Sequence, residues 1–93
     1  MEFNEYQQVA HETLADDEQV LTNLAIGLAC ESGAVSELIQ NYTFRGHDLT
    51  KEKLTKELGD VLWYISQIAE WADISFEEVA LKNLQHIAEK YKH

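Results

Sequence analysis

The stretch K-E-L-G-D-V-L-W-Y-I-S-Q-I-A, from Lys56 to Ala69, decides how the chain is interpreted. Its apolar residues recur at spacings of three, four and seven, which predicts a helix with one buried stripe. Glu57 and Asp60 are three residues apart, so at about 100° per residue they share one flank of that stripe. Tyr64 lies on the same flank. An acidic pair beside a packed face, followed by an aromatic residue, is typical of a site for a hard cation next to a stacking surface.

Helical spacing of apolar residues extends over most of the chain. The sequence contains no proline and only four glycines, and it lacks the Asn-Gly and Asp-Gly pairs that mark tight hairpins. We therefore predict an all-α fold, and a chain of 93 residues forms a single domain over residues 1–93. The predicted helices span about Asn4–Leu14, Gln19–Tyr42, Lys51–Ala72 and Phe76–Tyr91.

Residues that favour helix ends support these boundaries. Ser75, followed three residues later by Glu78, is a capping box for the fourth helix. Gly46 marks the turn between the second and third helices. The other candidate caps are Asn4 for the first helix, Asp16 or Asp17 for the second, and Thr50 for the third.

Glu31 interrupts the apolar stripe of the second helix, between Leu28 and Val35. A carboxylate at such a position is costly unless it is paired or coordinated. The loop of about eight residues after the second helix predicts antiparallel packing against the third, which brings Glu31 opposite Glu57 and Asp60. The alternative interpretation is an acid at the core edge that pairs with Lys56.

The acidic balance of the chain limits its partners. Seventeen acids against seven bases give a formal charge of −10, which disfavours binding to a nucleic-acid duplex. Most of the acids can serve solubility alone, while a clustered few bind divalent cations. Carboxylates without an accompanying Cys/His set suit Mg²⁺, or alternatively Mn²⁺, better than zinc. We therefore predict a metal site at Glu31, Glu57 and Asp60.

Location and assembly can also be predicted. Met1–Tyr6 contains two acids and no basic segment, so it does not resemble a signal peptide. No apolar run approaches the length of a membrane span, and the single cysteine, Cys30, excludes an internal disulfide. We predict a cytoplasmic protein without a membrane partner. Because 45% of this short chain is hydrophobic, we expect another copy to cover part of its surface.

Three segments carry a resemblance to a known family. They are G-L-A-C-E-S-G-A-V-S-E-L-I from Gly27, E-L-G-D-V-L-W-Y-I from Glu57, and I-S-F-E-E-V-A-L-K-N-L from Ile74. Together they resemble the MazG-like nucleotide pyrophosphohydrolases, whose signature is E-x-x-E, a spacer, then E-x-x-D. The resemblance implies a four-helix protomer assembled as a homodimer or dimer of dimers in a helical bundle. It also implies Mg²⁺-dependent cleavage of nucleoside triphosphates, often modified or deoxy forms, to the monophosphate and pyrophosphate.

The resemblance also implies roles for individual residues. Glu31, Glu57 and Asp60 match the first, third and fourth acids of the signature and are the expected catalytic and metal-binding residues. The expected substrate-binding residues are Asn83, His86, Lys56 and Tyr64. Asn83 matches a polar residue near the phosphates in the family, and His86 stands where many relatives have lysine. Lys56 is part of the local basic cluster. Tyr64 is interpreted as a stacking surface for the base, and helix packing is its alternative role.

Ala34 departs from the signature, because it stands where the family has its second glutamate. Glu37 lies about 120° round the helix from Glu31 and is not expected to replace the missing acid. Two hypotheses follow: a hydrolase that works with three acids, or a catalytically weak or inactive module that binds a nucleotide or a protein. A third hypothesis is an acidic helical interaction module without a ligand.

Overall fold

A computed structural model describes residues 1–14 and 20–91 of the chain. These residues form four helices, α1 (Phe3–His11), α2 (Val20–Arg45), α3 (Lys51–Trp71) and α4 (Phe76–Lys90), and contain no strand. The predicted all-α fold with four helices is therefore confirmed. Gln19 and the candidate caps Asp16 and Asp17 lie outside the described residues. No described helix is both long enough and apolar enough to cross a lipid bilayer.

Helix α1 ends earlier than predicted. The hydroxyl of Thr13 donates to the carbonyl of Ala10 at 2.6 Å, and the backbone N–H of Thr13 donates to the same carbonyl at 3.0 Å. A threonine that bonds to nearby backbone in this way competes with continuation of the helix. The predicted extension to Leu14 is therefore wrong by about one turn. Helix α2, by contrast, continues to Arg45, three residues beyond the predicted Tyr42.

The caps of α3 and α4 are as predicted. The hydroxyl of Thr50 accepts a bond from the backbone N–H of Lys53 at 3.2 Å, and the hydroxyl of Ser75 accepts one from Glu78 at 3.3 Å. Gly46, after the end of α2, has a φ of +69°, which a glycine adopts without steric cost. Local turn and cap chemistry therefore located the starts of α3 and α4 and the turn at Gly46, although α2 ends later than predicted.

The prediction that Asn4 caps α1 is wrong. Glu2 precedes α1 and makes no capping bond with its side chain. Asn4 lies inside α1, and its side-chain oxygen Oδ1 accepts bonds from the Ser75 hydroxyl at 2.8 Å and from the Glu77 N–H at 3.0 Å. Asn4 therefore helps to satisfy the free N–H groups at the start of α4, 71 residues or more along the chain.

The chain groups into two compact units, which are described separately. The terminal unit is Met1–Ala15 with Ser66–His93, and the central unit is Asp16–Ile65. In the terminal unit, Phe76 is buried and meets the ring of Phe3 edge-on, with the ring centroids 5.0 Å apart. The backbone around Asp73, at a φ of +58°, closes the end of α3 through a bond from Ile74 N–H to Ala69 carbonyl at 2.8 Å. The prediction of one domain over residues 1–93 stays a prediction.

Within the central unit, α2 and the first part of α3 are antiparallel, as predicted. Gly27 meets Tyr64, while Ala34, two turns further along α2, shares a cavity with Glu57, about two turns earlier on α3. The predicted apolar stripes are only partly buried, since Leu24 is buried but several other members are exposed. The exposed members of these two stripes are Leu21, Ile39, Tyr42 and Leu58.

Candidate metal centre

Three carboxylates converge where α2 faces α3. One oxygen each from Glu31, Glu57 and Asp60 lies within 4.8 Å of the others. A Mg²⁺ ion at about 2.1 Å from each ligand holds neighbouring oxygens roughly 3 to 4.2 Å apart, so modest side-chain rotations suffice to close on one ion. All-oxygen ligation of this kind suits Mg²⁺ and Mn²⁺. The donor set therefore fits a hard divalent cation.

Helix geometry explains why these acids meet. Glu57 and Asp60 are three residues apart and project from one face of α3, and antiparallel α2 places Glu31 opposite them. The side chains of Glu57 and Asp60 are 24% and 41% exposed, so they are partly removed from water. Repulsion between like charges grows as the surroundings become less polar, and a bound cation relieves it.

Lys56 provides positive charge next to these acids. Its ammonium lies 3.4 Å from an oxygen of Asp60 and 3.9 Å from one of Glu57. The Asp60 carboxylate, through its charge and its hydrogen bond, raises the pKa of Lys56, with smaller contributions from Glu57 and Glu31. The Lys56 side chain is 73% exposed, so it can swing away when another cation binds. Its ion pairs are with Asp60 and Glu57, whereas the sequence-based alternative paired it with Glu31.

A cavity of about 250 Å³ begins beside Glu57. It is lined by Ala34, Glu37, Leu38, Asn41 and Glu57. Glu37 therefore borders this cavity, but among the described residues it does not join the three converging carboxylates. The methyl group of Ala34 leaves space where a longer acidic side chain would project toward Glu57.

A larger cavity of about 530 Å³ lies at the α2–α3 turn. Its lining combines an apolar floor with polar groups and consists of Leu38, Asn41, Gly46, His47, Asp48 and Lys53. Leu38 and Asn41 line both cavities, so the two cavities adjoin, and together they are called the groove below. Arg45 donates to the side-chain oxygen of Asn41 at 2.8 Å, which leaves the Asn41 amide hydrogens for other partners. No feature of the sequence indicated that Asn41 lines these cavities, because a polar residue near a helix end is ordinary.

Comparison with known protein families identifies the family to which the chain belongs. Residues 19–93 match the family model described as the MazG nucleotide pyrophosphohydrolase domain. The chain belongs to the MazG family. The resemblance found in the sequence is thereby confirmed. The gene 37 protein of Mycobacterium phage L5 is 31% identical to the chain over 77 residues, which cover 77% of this chain and 67% of the phage protein. No solved structure matches the chain.

Membership of the MazG family bears on whether the acidic cluster holds a metal ion. MazG proteins depend on divalent metals, and this chain has three acids that can hold one. Two of the four predicted substrate-binding residues lie in the central unit with those acids. Lys56 contacts the acids directly, and Tyr64 is half-buried, with its ring against Gly27 and roughly perpendicular to the ring of Trp63. The other two, Asn83 and His86, are exposed on α4 in the terminal unit, and their roles remain predictions.

Proposed function

We propose that this MazG chain is a Mg²⁺-dependent nucleoside triphosphate pyrophosphohydrolase that releases the nucleoside monophosphate and pyrophosphate. The observation that carries the proposal is the convergence of Glu31, Glu57 and Asp60 in a chain that matches the family over residues 19–93. Mn²⁺ is the alternative metal, because it accepts the same oxygen ligands.

The three carboxylates have a positioning role in this reaction. When bound, Mg²⁺ supplies electrostatic stabilisation of phosphate oxygens, which is the main requirement of phosphoryl transfer. Glu31, Glu57 and Asp60 hold that charge between the helices. Lys56 is released from its acidic neighbours once they are neutralised, and its ammonium is then available to a phosphate oxygen. Water is the nucleophile, so no side chain needs to form a covalent bond to the substrate.

We place the nucleoside part of the substrate in the groove that starts beside Glu57. The cavities of about 250 Å³ and 530 Å³ together fall within the range typical of small-molecule sites. The Asn41 amide, His47 and Lys53 are the polar groups available to a sugar or base there. Asn83 and His86 remain proposed contacts to the phosphates on the basis of the family pattern.

Assembly as a homodimer or dimer of dimers is part of the proposal. The exposed apolar side chains of the central unit support it, because a helical face with several of them gains stability by packing against another copy. These side chains are Leu21, Ile26, Ile39, Tyr42 and Leu58. Light scattering after size-exclusion chromatography measures the oligomeric state. We also propose that the enzyme is cytoplasmic.

A second candidate function rests on Ala34. With Ala34 in place of the second glutamate, the site has three acids where the family signature has four. A site with fewer charged ligands binds divalent cations more weakly. The same groove then serves a catalytically weak or inactive module that binds a nucleotide or a protein without turnover.

The deciding experiment measures pyrophosphate release from a panel of common, deoxy and modified nucleoside triphosphates with Mg²⁺ or Mn²⁺. Glu57→Gln removes a charged ligand while keeping the side-chain shape. Because even partners of metal ligands contribute roughly 10- to 100-fold, we expect this change to lower the rate by about 100-fold or more. Glu70→Gln, an exposed acid near the end of the same helix, is the matched control and should keep the wild-type rate.

The outcomes separate the candidates. Metal-dependent release of pyrophosphate that is lost in Glu57→Gln supports the hydrolase. Nucleotide binding without turnover supports the binding module. Full activity in Glu57→Gln would show that the three acids are not the metal site. A chain that binds neither metal nor nucleotide but forms a stable oligomer would favour an acidic interaction module.

A further inference from the structure

Gly27 on α2 and Tyr64 on α3 are in close contact, and both helices bear acids of the cluster. A Cβ atom built on Gly27 would overlap the ring carbons Cε1 and Cζ of Tyr64 and would lie 2.8 Å from its hydroxyl oxygen. Gly33, on the same helix, has nothing within 4 Å of such an atom. The Tyr64 ring therefore rests directly on the bare backbone of α2 at Gly27.

This contact lies one helical turn from the carboxylates. Gly27 is four residues before Glu31 on α2, and Tyr64 is four residues after Asp60 on antiparallel α3. Trp63 packs edge-on against Tyr64, with the ring centroids 5.0 Å apart. Tyrosine has only two rotatable side-chain bonds, so a ring held in this way acts as a spacer of fixed thickness.

We propose that the packing of Tyr64 on Gly27 sets the separation of α2 and α3 at the acidic cluster, so that Glu31 reaches the ion held by Glu57 and Asp60. Tyr64 is then a positioning residue, and its role differs from the base-stacking surface that the sequence suggested. This inference rests on the proposed metal site. It adds a determinant of metal affinity that makes no contact with the metal.

The sensitivity of Mg²⁺ and Mn²⁺ sites to geometry gives this spacing its importance. Ligand oxygens must approach to about 2.1 Å in near-octahedral directions, and the observed oxygens lie within 4.8 Å of one another. Side-chain rotation closes this gap only while the two helices keep their present separation. Displacing α3 from α2 by about 1 Å, enough to accommodate a methyl group, widens the gap that Glu31 must close and misplaces its carboxylate relative to the other two acids.

The test measures the dissociation constant for Mn²⁺ alone, by titration calorimetry or electron paramagnetic resonance, without nucleotide. Gly27→Ala should raise this constant by about 10-fold or more, because a lost ligand contributes at least as much as an outer-shell partner. Gly33→Ala is the matched control, since it adds the same methyl group in open space and should leave the constant within about twofold. Unfolding by urea, measured in parallel, confirms that each variant is folded under the binding conditions.

A compensating change makes the test specific to the tyrosine ring. Tyr64→Leu removes the overlap, so adding Gly27→Ala to it should alter Mn²⁺ affinity by less than about threefold. Tyr64→Phe keeps both ring carbons, so Gly27→Ala should be as damaging in that background as in the wild type. Tyr64→Leu alone should weaken Mn²⁺ binding by about 3- to 10-fold through loss of the spacer, whereas a stacking residue would affect only nucleotide binding.

Each result supports or overturns the inference. An unchanged Mn²⁺ constant in Gly27→Ala, or an equal loss with and without the tyrosine ring, would overturn it. If Gly27→Ala does not fold, the effect of Tyr64→Leu on Mn²⁺ binding decides the question, and no effect overturns the inference. A wild-type chain that binds no Mn²⁺ would overturn the proposed metal site as well. Wild-type binding with an unaffected Gly27→Ala variant would overturn the spacer role alone.

Discussion

The two units of the chain each contain a cluster of polar side chains, and the clusters differ in charge. In the terminal unit, Gln7, Ser66 and Gln67 are buried, with Ser66 and Gln67 at 0% exposure. In the central unit, Glu31, Glu57 and Asp60 are half-buried. The first cluster is neutral, and the second has three negative charges against the single exposed ammonium of Lys56.

The neutral cluster is closed by its own hydrogen bonds. The amide of Gln7 donates to the Ile74 carbonyl at 2.9 Å and accepts from the Phe76 N–H at 3.0 Å, so it ties α1 to the start of α4. Gln67 donates to the Ser66 hydroxyl at 3.0 Å and meets His11 Nδ1 at 3.2 Å. Among the described residues, no buried side-chain nitrogen or oxygen lacks a partner.

Charge explains why the second cluster remains open to a ligand. Amides and hydroxyls contain both donors and acceptors, so a group of them can satisfy itself. Ionised carboxylates only accept, and three of them together repel one another unless a cation intervenes. Buried polar side chains therefore serve the fold in the terminal unit, whereas the acids of the central unit are arranged so that they could hold a cation.

The largest effect on stability should come from the neutral cluster. Gln7→Ala leaves the Phe76 N–H and the Ile74 carbonyl without their partner and removes buried side-chain volume. We expect unfolding in urea to show a loss of about 2 to 4 kcal/mol, because each unsatisfied buried group costs about 1 to 3 kcal/mol. The dissociation constant for Mn²⁺ should stay within about twofold of the wild-type value as long as the variant is folded.

The neighbouring glutamine provides the control for this prediction. Gln8 is exposed, so Gln8→Ala should change the free energy of unfolding by less than about 0.5 kcal/mol. Similar losses in the two variants would mean that the buried amide of Gln7 contributes no more than a surface residue.

Restoring the missing acid should have the next largest effect, on metal binding. Ala34→Glu places a fourth carboxylate on the cavity that Glu57 lines, so we expect Mn²⁺ affinity to rise by about 10-fold. Without metal, the added charge increases repulsion at the cluster and should lower the free energy of unfolding by about 1 kcal/mol. Calorimetric titration and urea unfolding with and without Mn²⁺ measure both effects.

Ala34→Gln is the matched control for the restored acid, because it fills the same space without charge. It should leave Mn²⁺ affinity close to the wild-type value. If Ala34→Glu and Ala34→Gln bind Mn²⁺ alike, the position does not supply a metal ligand in this chain, and three acids are its full set.

The two clusters also differ in how well the sequence predicted them. The acidic cluster could be predicted because helical periodicity and a short loop are local signals. Together these two signals determine which residues of neighbouring helices face one another, here Glu31, Glu57 and Asp60. The predictions that Thr50 and Ser75 cap helices are confirmed for the same reason, because a cap bonds to a residue only three positions away. Local signals were therefore enough to predict both the acidic cluster and these helix starts.

The neutral cluster was missed because its bonds join distant parts of the chain. Gln7 contacts Phe76, 69 residues away, and Asn4 bonds to the start of α4 although local rules predicted a cap for α1. A glutamine in a polar helix position has no local mark of burial. The contact of Tyr64 with Gly27 was not predicted either, because an interior glycine indicates close approach without naming the partner.

The smallest predicted effect concerns Lys56. Its exposed ammonium lies beside the acidic cluster. Its ammonium occupies the space beside Asp60 and Glu57 that a divalent cation would share. Lys56→Gln removes this competitor, so Mn²⁺ affinity should rise by roughly two- to fivefold at low salt, in keeping with the small coupling of exposed ion pairs. The gain should shrink as added salt screens the charges. Lys51→Gln, about two and a half turns before Asp60 on α3, removes the same charge and should have a smaller effect.

The raised pKa of Lys56 determines how the difference in Mn²⁺ affinity between the wild type and Lys56→Gln depends on pH. Asp60 holds that pKa above the ordinary lysine value of 10.5, so the ammonium stays charged through neutral pH. Its contribution to stability is fully present below 10.5 and is lost only as the pH rises through the raised pKa. The ratio of Mn²⁺ constants for wild type and Lys56→Gln should therefore be constant from about pH 7 to 9. A ratio that changes within this range would show that the Lys56 ammonium is not the group that competes with Mn²⁺.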